Sequence, residues 1–211
     1  MRGPLDFELP QSRHESTVMR KRLLAIYDDV ERRARVTAGE NAWWPCKRGC
    51  DLCCRRLADV PQLVRAEWEL LQEGLDALAP DVRAGVDARI ADLAGAAREG
   101  RLPRHITCPM LDEREGACLV YAHRPSACRT YGFYVERGVG LHCEMITDAL
   151  AARPEAGAIV WGNQEGVDYA LARLSGDAVA AAPLTSWAVG SSLGGETPDA
   201  PPAPSSPSSA I

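Results

Sequence analysis

Four of the eight cysteines of this chain, Cys46, Cys50, Cys53 and Cys54, stand within nine residues, and three of them follow a C-x3-C-x2-C spacing. Thiolates are soft ligands that favour zinc, Cu(I) or iron–sulfur clusters over calcium and magnesium. On a helix the positions i, i+4 and i+7 share a face, and in a loop the same spacing lets several sulfurs meet one ion. Neighbouring side chains diverge, so one of Cys53 and Cys54 is expected to serve a second site or to be a packed thiol. The other four, Cys108, Cys118, Cys128 and Cys143, lie in a segment with no visible core of its own, to which metal ligation would lend cohesion.

All eight are therefore candidate metal ligands, with Cys46, Cys50, Cys53, Cys118 and Cys128 in front and Cys143 last. A structural zinc site contributes about 10–16 kcal/mol in small peptides, against about 5–15 kcal/mol for the stability of a whole domain. Loss of metal is thus expected to unfold this part of the chain. Lys47, Arg48, Arg55 and Arg56 flank the first cluster, and Arg124 and Arg129 flank Cys128. Positive neighbours favour thiolates, and they would offset the charge of about −2 left by four thiolates on zinc or on an oxidised four-iron cluster. They read equally well as ordinary surface arginines. His105, His123 and His142 lie close to cysteines, but eight thiols already supply two four-ligand sites.

The compartment matters to this reading. Residues Met1 to Pro10 have no apolar stretch of the length a secretory signal needs, and no run approaches the roughly 18 apolar residues of a membrane span. A cytoplasmic protein is expected, and in a reducing compartment clustered cysteines point to metal or redox chemistry rather than to disulfides. The net charge of −5 provides no global positive field for nucleic acid or an anionic membrane. The expected partner is a metal ion or cluster, with a protein partner left open.

The elements that must position the cysteines are helical. With 211 residues, only two Phe and five Tyr, and an apolar share of 46% that is rich in Ala, the chain suits one mainly α domain with a thin core. A helix is predicted from about Ser12 to Ala38, opened by a Ser12/Glu15 capping pair and carrying Met19, Leu23, Ile26, Val30 and Ala34 at helical spacing. A second is predicted from Asp59, with Pro61 in its first turn and Val64, Trp68, Leu71, Leu75 and Leu78 as its stripe. A third, marked by Val82, Val86, Ile90 and Leu93, ends before Gly100, and together the two read as an antiparallel hairpin. The stretch between Cys108 and Cys143 is broken by Pro and Gly into short irregular segments. A last helix is predicted from Gln164 to Leu174, and Ser191 to Ile211 reads as disordered. The expected divisions are 1–40, an N-terminal helical segment; 41–175, the cysteine-cluster domain; and 176–211, a low-complexity tail.

Three elements occur together: the C-x3-C-x2-C-C cluster of Cys46 to Cys54, then Cys108-Pro109-Met110-Leu111, then Cys118-Leu119-Val120-Tyr121-Ala122-His123-Arg124-Pro125-Ser126-Ala127-Cys128-Arg129. In this combination, and in the Val60-Pro61 lead-in to a helix carrying Glu67, the chain resembles the YkgJ-like cysteine-cluster family, described as zinc- or iron-chelating. The resemblance covers about Trp44 to Cys143. It implies a metal site, leaves zinc and iron open, and assigns no reaction. Flagellin lysine N-methylases, relatives with a similar cluster, use iron–sulfur ligation, which places an iron–sulfur cluster ahead of zinc. The Arg124-Pro125 step is expected to open a helical turn that presents Cys128, with Tyr121 packed beneath it in preference to donating a hydrogen bond to a sulfur.

The leading expectation is a metal-binding protein whose centre is structural, carries electrons or handles metal. A cluster-dependent enzyme is the alternative. C-x3-C-x2-C also resembles the motif of radical S-adenosylmethionine enzymes, but helices rather than alternating strands follow it here, and Gly194-Gly195-Glu196 falls in the tail. A lysine N-methylase-like activity would need a cofactor-holding glycine-rich turn that the sequence does not display. A redox- or metal-responsive interaction protein is the third option.

Overall fold

The structure, a computed structural model, describes residues 13–154, 159–174 and 181–192. The architecture is mainly α, with short strands at the joints. Helix α1 (Arg13–Glu40) buries Leu23, Tyr27 and Val30 along one stripe and runs past Gly39. It closes where Asn41 donates its side-chain amide to the Thr37 carbonyl at 2.8 Å. Ser12 of the expected capping pair lies outside the described residues. After the single turn α2 (Leu52–Arg55) comes β1 (Gln62–Leu63), followed by α3 (Arg65–Asp76) and α4 (Pro80–Arg98).

Helix α3 starts at Arg65, not near Asp59. Gln62 and Leu63 are drawn into an antiparallel pair with β7 (Ala182–Pro183), and the Pro61 carbonyl accepts the Leu184 N–H at 3.0 Å. Pro61 is therefore ahead of a strand, and the extended Val64 caps the helix instead. Helix α4 agrees with its predicted stripe, opening on Pro80, whose lost N–H costs nothing at a first turn.

Among the described residues two cores result, and α3 stands between them. Trp68, Leu71 and Leu75 face the first, with Val86 and Ile90 of α4, Ile106, Met110, Leu111 and Val120. Ala66 and Leu70 face the second, with Leu23, Tyr27 and Val30 of α1, Trp44, Phe133, Tyr134, Ile146, Val167 and Leu171. The stretch from Cys108 to Cys143 is thus not coreless. Its hairpin β2 (Leu111–Asp112)/β3 (Ala117–Cys118) closes on the first core. Its short helix α5 (Ser126–Thr130) and hairpin β4 (Tyr134–Glu136)/β5 (Val139–Leu141) close on the second. Helix α6 (Glu144–Ala151) follows, then β6 (Gly162–Asn163), which lies parallel to β4, and α7 (Gln164–Leu174) at its predicted bounds.

The tail read from composition at 176–211 begins too early. Within it, β7 pairs with β1, and α8 (Leu184–Ser192) buries Leu184 and Trp187 in the first core, where the Trp187 indole N–H donates to the Leu63 carbonyl at 2.9 Å. Two apolar anchors outweigh the surrounding Ala, Ser and Pro. Residues 193–211, most of the stretch expected to be disordered, lie outside the described residues. Among the described residues no helix is long and apolar enough to cross a membrane.

Candidate metal centre

The first cysteine segment is anchored from its N-terminal side by aromatic packing. Trp44 is buried against Phe133 and Trp161, with ring centroids 6.0 and 5.6 Å away. After Pro45 the chain turns at Gly49, whose φ of +91° suits glycine, and the Cys50 N–H returns to the Lys47 carbonyl at 3.0 Å. Asp51 holds Arg55 at 2.6 Å across α2. Cys53 and Cys54 are consecutive on this turn, so their side chains diverge by about 100°.

The other cysteines are brought in by separate elements. Leu57 bridges Ile106, and the Cys108 N–H donates to the Cys54 carbonyl at 2.7 Å, which sets Cys108 beside Cys54. Cys118 lies on β3 opposite Leu111, Cys128 lies on α5 after the extended Pro125, as expected from the Arg124-Pro125 step, and Cys143 directly precedes α6. Gly132 has φ +93°, and a Cβ there would stand 2.9 Å from Cys46 Sγ, so the turn before β4 admits that sulfur only as glycine.

All eight thiols are free. Their electrostatics sort them. Burial, then the charges of Cys53, Cys50 and Cys143, pushes Cys46 up to about 12. Burial, then Cys54 and Cys118, pushes Cys128 up to about 12. The thiol hydrogen bond to Cys108, followed by burial and the charges of Cys108 and Cys118, pushes Cys54 up to about 12, against an opposing bond received from Cys53. Cys53 is raised first by the hydrogen bond it donates to Cys54 and then by burial. Burial also raises Cys118, opposed by the Val120 N–H and by Arg124. Cys46 thus feels Cys50, Cys53 and Cys143, Cys54 feels Cys108 and Cys118, and Cys128 feels Cys54 and Cys118.

Among the described residues no three Cys, His, Asp or Glu side chains stand in a finished metal-binding arrangement. The thiols of Cys53, Cys54 and Cys108 stand close enough to shift one another's pKa values. The donor set fits the metals considered above: it is entirely sulfur, and each thiolate that forms raises the pKa of its neighbours, a repulsion that a cation relieves. Two of the three histidines near cysteines are otherwise engaged. His142 stacks on Trp161 at 5.3 Å, His123 packs against Gly74, and His105 is exposed.

Behind the Cys118 to Cys128 segment lies a polar network. Glu67, 1% exposed, accepts hydrogen bonds from the Tyr27 hydroxyl at 3.0 Å, the Val64 N–H at 3.2 Å and the Ser126 N–H at 2.8 Å. Burial, then the Glu67 charge, raises the Tyr27 hydroxyl pKa. Arg129 pairs with Glu31 of α1 and lies over the Tyr27 ring. Tyr121 carries Arg124 and Arg48 over its ring, at 3.9 and 5.1 Å. Sequence reasoning noted Glu67 and Trp44 without assigning them a role, read Gly132 only as a break in the chain, and passed over Tyr27 and Glu31. The adjacent Trp43-Trp44-Pro45 was the visible signal for the anchor.

The family described as CxxCxxCC, putative zinc- or iron-chelating domain, matches residues 45–151. The chain belongs to this family. The matched span contains all eight cysteines and ends with α6, whereas α1, which supplies Tyr27 and Glu31, precedes it. The first cluster of this CxxCxxCC domain reads C-x3-C-x2-C-C, one residue longer in its first gap than the family's name spells. Comparison with curated proteins gives no match, nor does comparison with solved structures.

Proposed function

We propose that this CxxCxxCC-family chain is a thiolate-ligated metal protein with two four-cysteine sites, Cys46/Cys50/Cys53/Cys143 and Cys54/Cys108/Cys118/Cys128. What supports this reading is that eight free thiols are carried by separate elements, with Cys46 influenced by Cys50, Cys53 and Cys143 and Cys54 by Cys108 and Cys118. An iron–sulfur cluster is placed ahead of zinc, on the resemblance to the lysine N-methylase relatives. A bound cluster would supply one-electron chemistry, and zinc would supply a cross-link. The chain's own residues bind the group, and the role is structural, electron-carrying or metal-handling. A cytoplasmic, reducing location suits free clustered thiols.

Anaerobic purification followed by an absorption spectrum and by iron, zinc and acid-labile sulfide analysis of the same sample tests this. Visible absorption with matching iron and sulfide supports the cluster form, and a colourless protein with stoichiometric zinc supports the chelating form. A reduced, folded protein that takes up neither refutes the proposal.

A further inference from the structure

The two arginines flanking Cys128 differ in their surroundings. Arg129 has a side chain only 6% exposed, and its donors are engaged: Nε donates to the Arg124 carbonyl at 2.8 Å, Nη2 to the Ala122 carbonyl at 2.7 Å, and Nη1 pairs with Glu31. It braces the loop before α5 against α1. Arg124 is 22% exposed and lies over the Tyr121 ring. Its Nη2 is 3.9 Å from the Glu31 oxygen that Arg129 already holds, and its Nε is buried with no hydrogen-bond partner among the described residues.

A buried guanidinium N–H without an acceptor calls for an explanation, since nearly all such groups in folded proteins are paired. Its neighbours suggest one. Arg124 shares the Tyr121 ring with Arg48, at 3.9 and 5.1 Å, and Arg48 stands between Cys46 and Cys50, so Arg124 lies where the first cysteine segment meets the segment that carries Cys118 and Cys128. Protonated thiols are weak acceptors. When a thiol ligates a metal its proton passes to solvent, and the sulfur left behind is a charged acceptor that an N–H can serve.

We propose that Arg124 is the charge-balancing residue of the metal centre, its guanidinium shared by the two cysteine groups and its Nε–H kept for a metal-bound sulfur. This rests on the metal-binding reading above. It makes Arg124 a positioning residue for the ligands and Arg129 a brace of the fold, although both carry the same charge and flank the same cysteine.

The test uses the full chain, reduced and metal-free, titrated anaerobically with zinc or cadmium against a competing chelator, with urea unfolding of the metal-free form alongside. Arg124→Gln is expected to weaken metal binding about 10–100-fold, the usual range for a lost outer partner of a metal ligand, while its metal-free urea midpoint stays at the wild-type value. Arg124→Lys, which keeps the charge but has no Nε–H, is expected between the two. Arg129→Gln is expected to lower the metal-free midpoint. Wild-type affinity in Arg124→Gln overturns the proposal, as does an affinity loss matched by an equal loss of metal-free stability. Should Arg124→Gln fail to fold, Arg124→Lys decides: wild-type affinity there removes the role of Nε. A wild-type chain that binds no metal refutes the underlying reading, whereas equal binding by wild type and Arg124→Gln refutes only this inference.

Discussion

Glu67→Gln is the most incisive single substitution for the support behind the cysteines. Glu67 Oε1 accepts both the Tyr27 hydroxyl and the Ser126 N–H, and Oε2 accepts the Val64 N–H. One carboxylate thereby ties α1, the start of α3 and the start of α5, two residues before Cys128. Glutamine has one oxygen. If that oxygen stays with Tyr27 and Ser126, the amide nitrogen meets the Val64 N–H donor to donor. The change removes one hydrogen bond to a charged acceptor, worth about 1.5–3 kcal/mol, and weakens two others that lose their charge assistance. A total of about 3–4 kcal/mol is expected, a large part of a domain's stability. Tyr27→Phe, which removes one donor and leaves the carboxylate its other two, should cost about 1–2 kcal/mol. Urea unfolding of the reduced, metal-free chain, with the double variant closing a cycle, measures both the costs and their coupling. A Glu67→Gln protein within about 0.5 kcal/mol of wild type, or a cycle with no coupling, would refute the reasoning.

Other outcomes follow from the same geometry. Cys46→Ser and Cys54→Ser should each leave about half of the metal per chain, because each damages one group of four; elemental analysis showing complete loss from either would point to a single shared centre. Cys46, Cys54 and Cys128 have folded-state values raised from 9.0 to about 12, so the folded chain keeps protons that the unfolded chain releases. The stability this contributes is fully present below about pH 9 and is lost as pH rises toward about 12. Urea midpoints of the reduced, metal-free protein should fall across that window, and a rising midpoint would reverse the sign. Trp187→Ala should destabilise the chain by about 3–5 kcal/mol, since the indole fills the first core and its N–H holds the Leu63 carbonyl. A thermal melt unchanged by that substitution would separate α8 from the domain.

The sequence was legible where periodicity was long. Leu23 and Val30 predicted α1, Val86 and Ile90 predicted α4, and Gln164 to Leu174 agrees with α7 residue for residue. It was less legible where pairing partners are distant. Nothing local to Gln62 and Leu63 announces that Ala182 and Pro183 will claim them, so the start of α3 was placed too early. The stretch from Cys108 to Cys143 appeared to lack a core because its apolar residues do not meet one another; Met110 and Val120 join one core, while Phe133 and Ile146 join the other. The cysteine pattern was visible by spacing. The carboxylate network was not, because Glu67, Tyr27, Glu31 and Arg129 are brought together only by tertiary packing.

The division of the cysteines between two cores changes what a metal would do for this fold. Cys108 belongs to the first core, and Cys54 and Cys118 pack against it; Cys46 and Cys143 pack against the second. A segment without apolar burial would depend on metal to fold. Here the hairpins and α5 that carry the later cysteines are already fixed by Leu111, Val120, Phe133 and Tyr134, and by the hydrogen bond from Ser126 to Glu67. On the metal-binding reading, the bound group then acts mainly as a cross-link at the seam between the cores, where Cys53 and Cys54 stand on a single turn. Removing it should loosen that seam while α1, α3 and α4 stay packed. This argues against unfolding on metal loss, the outcome expected when the segment from Cys108 to Cys143 was read as lacking a core.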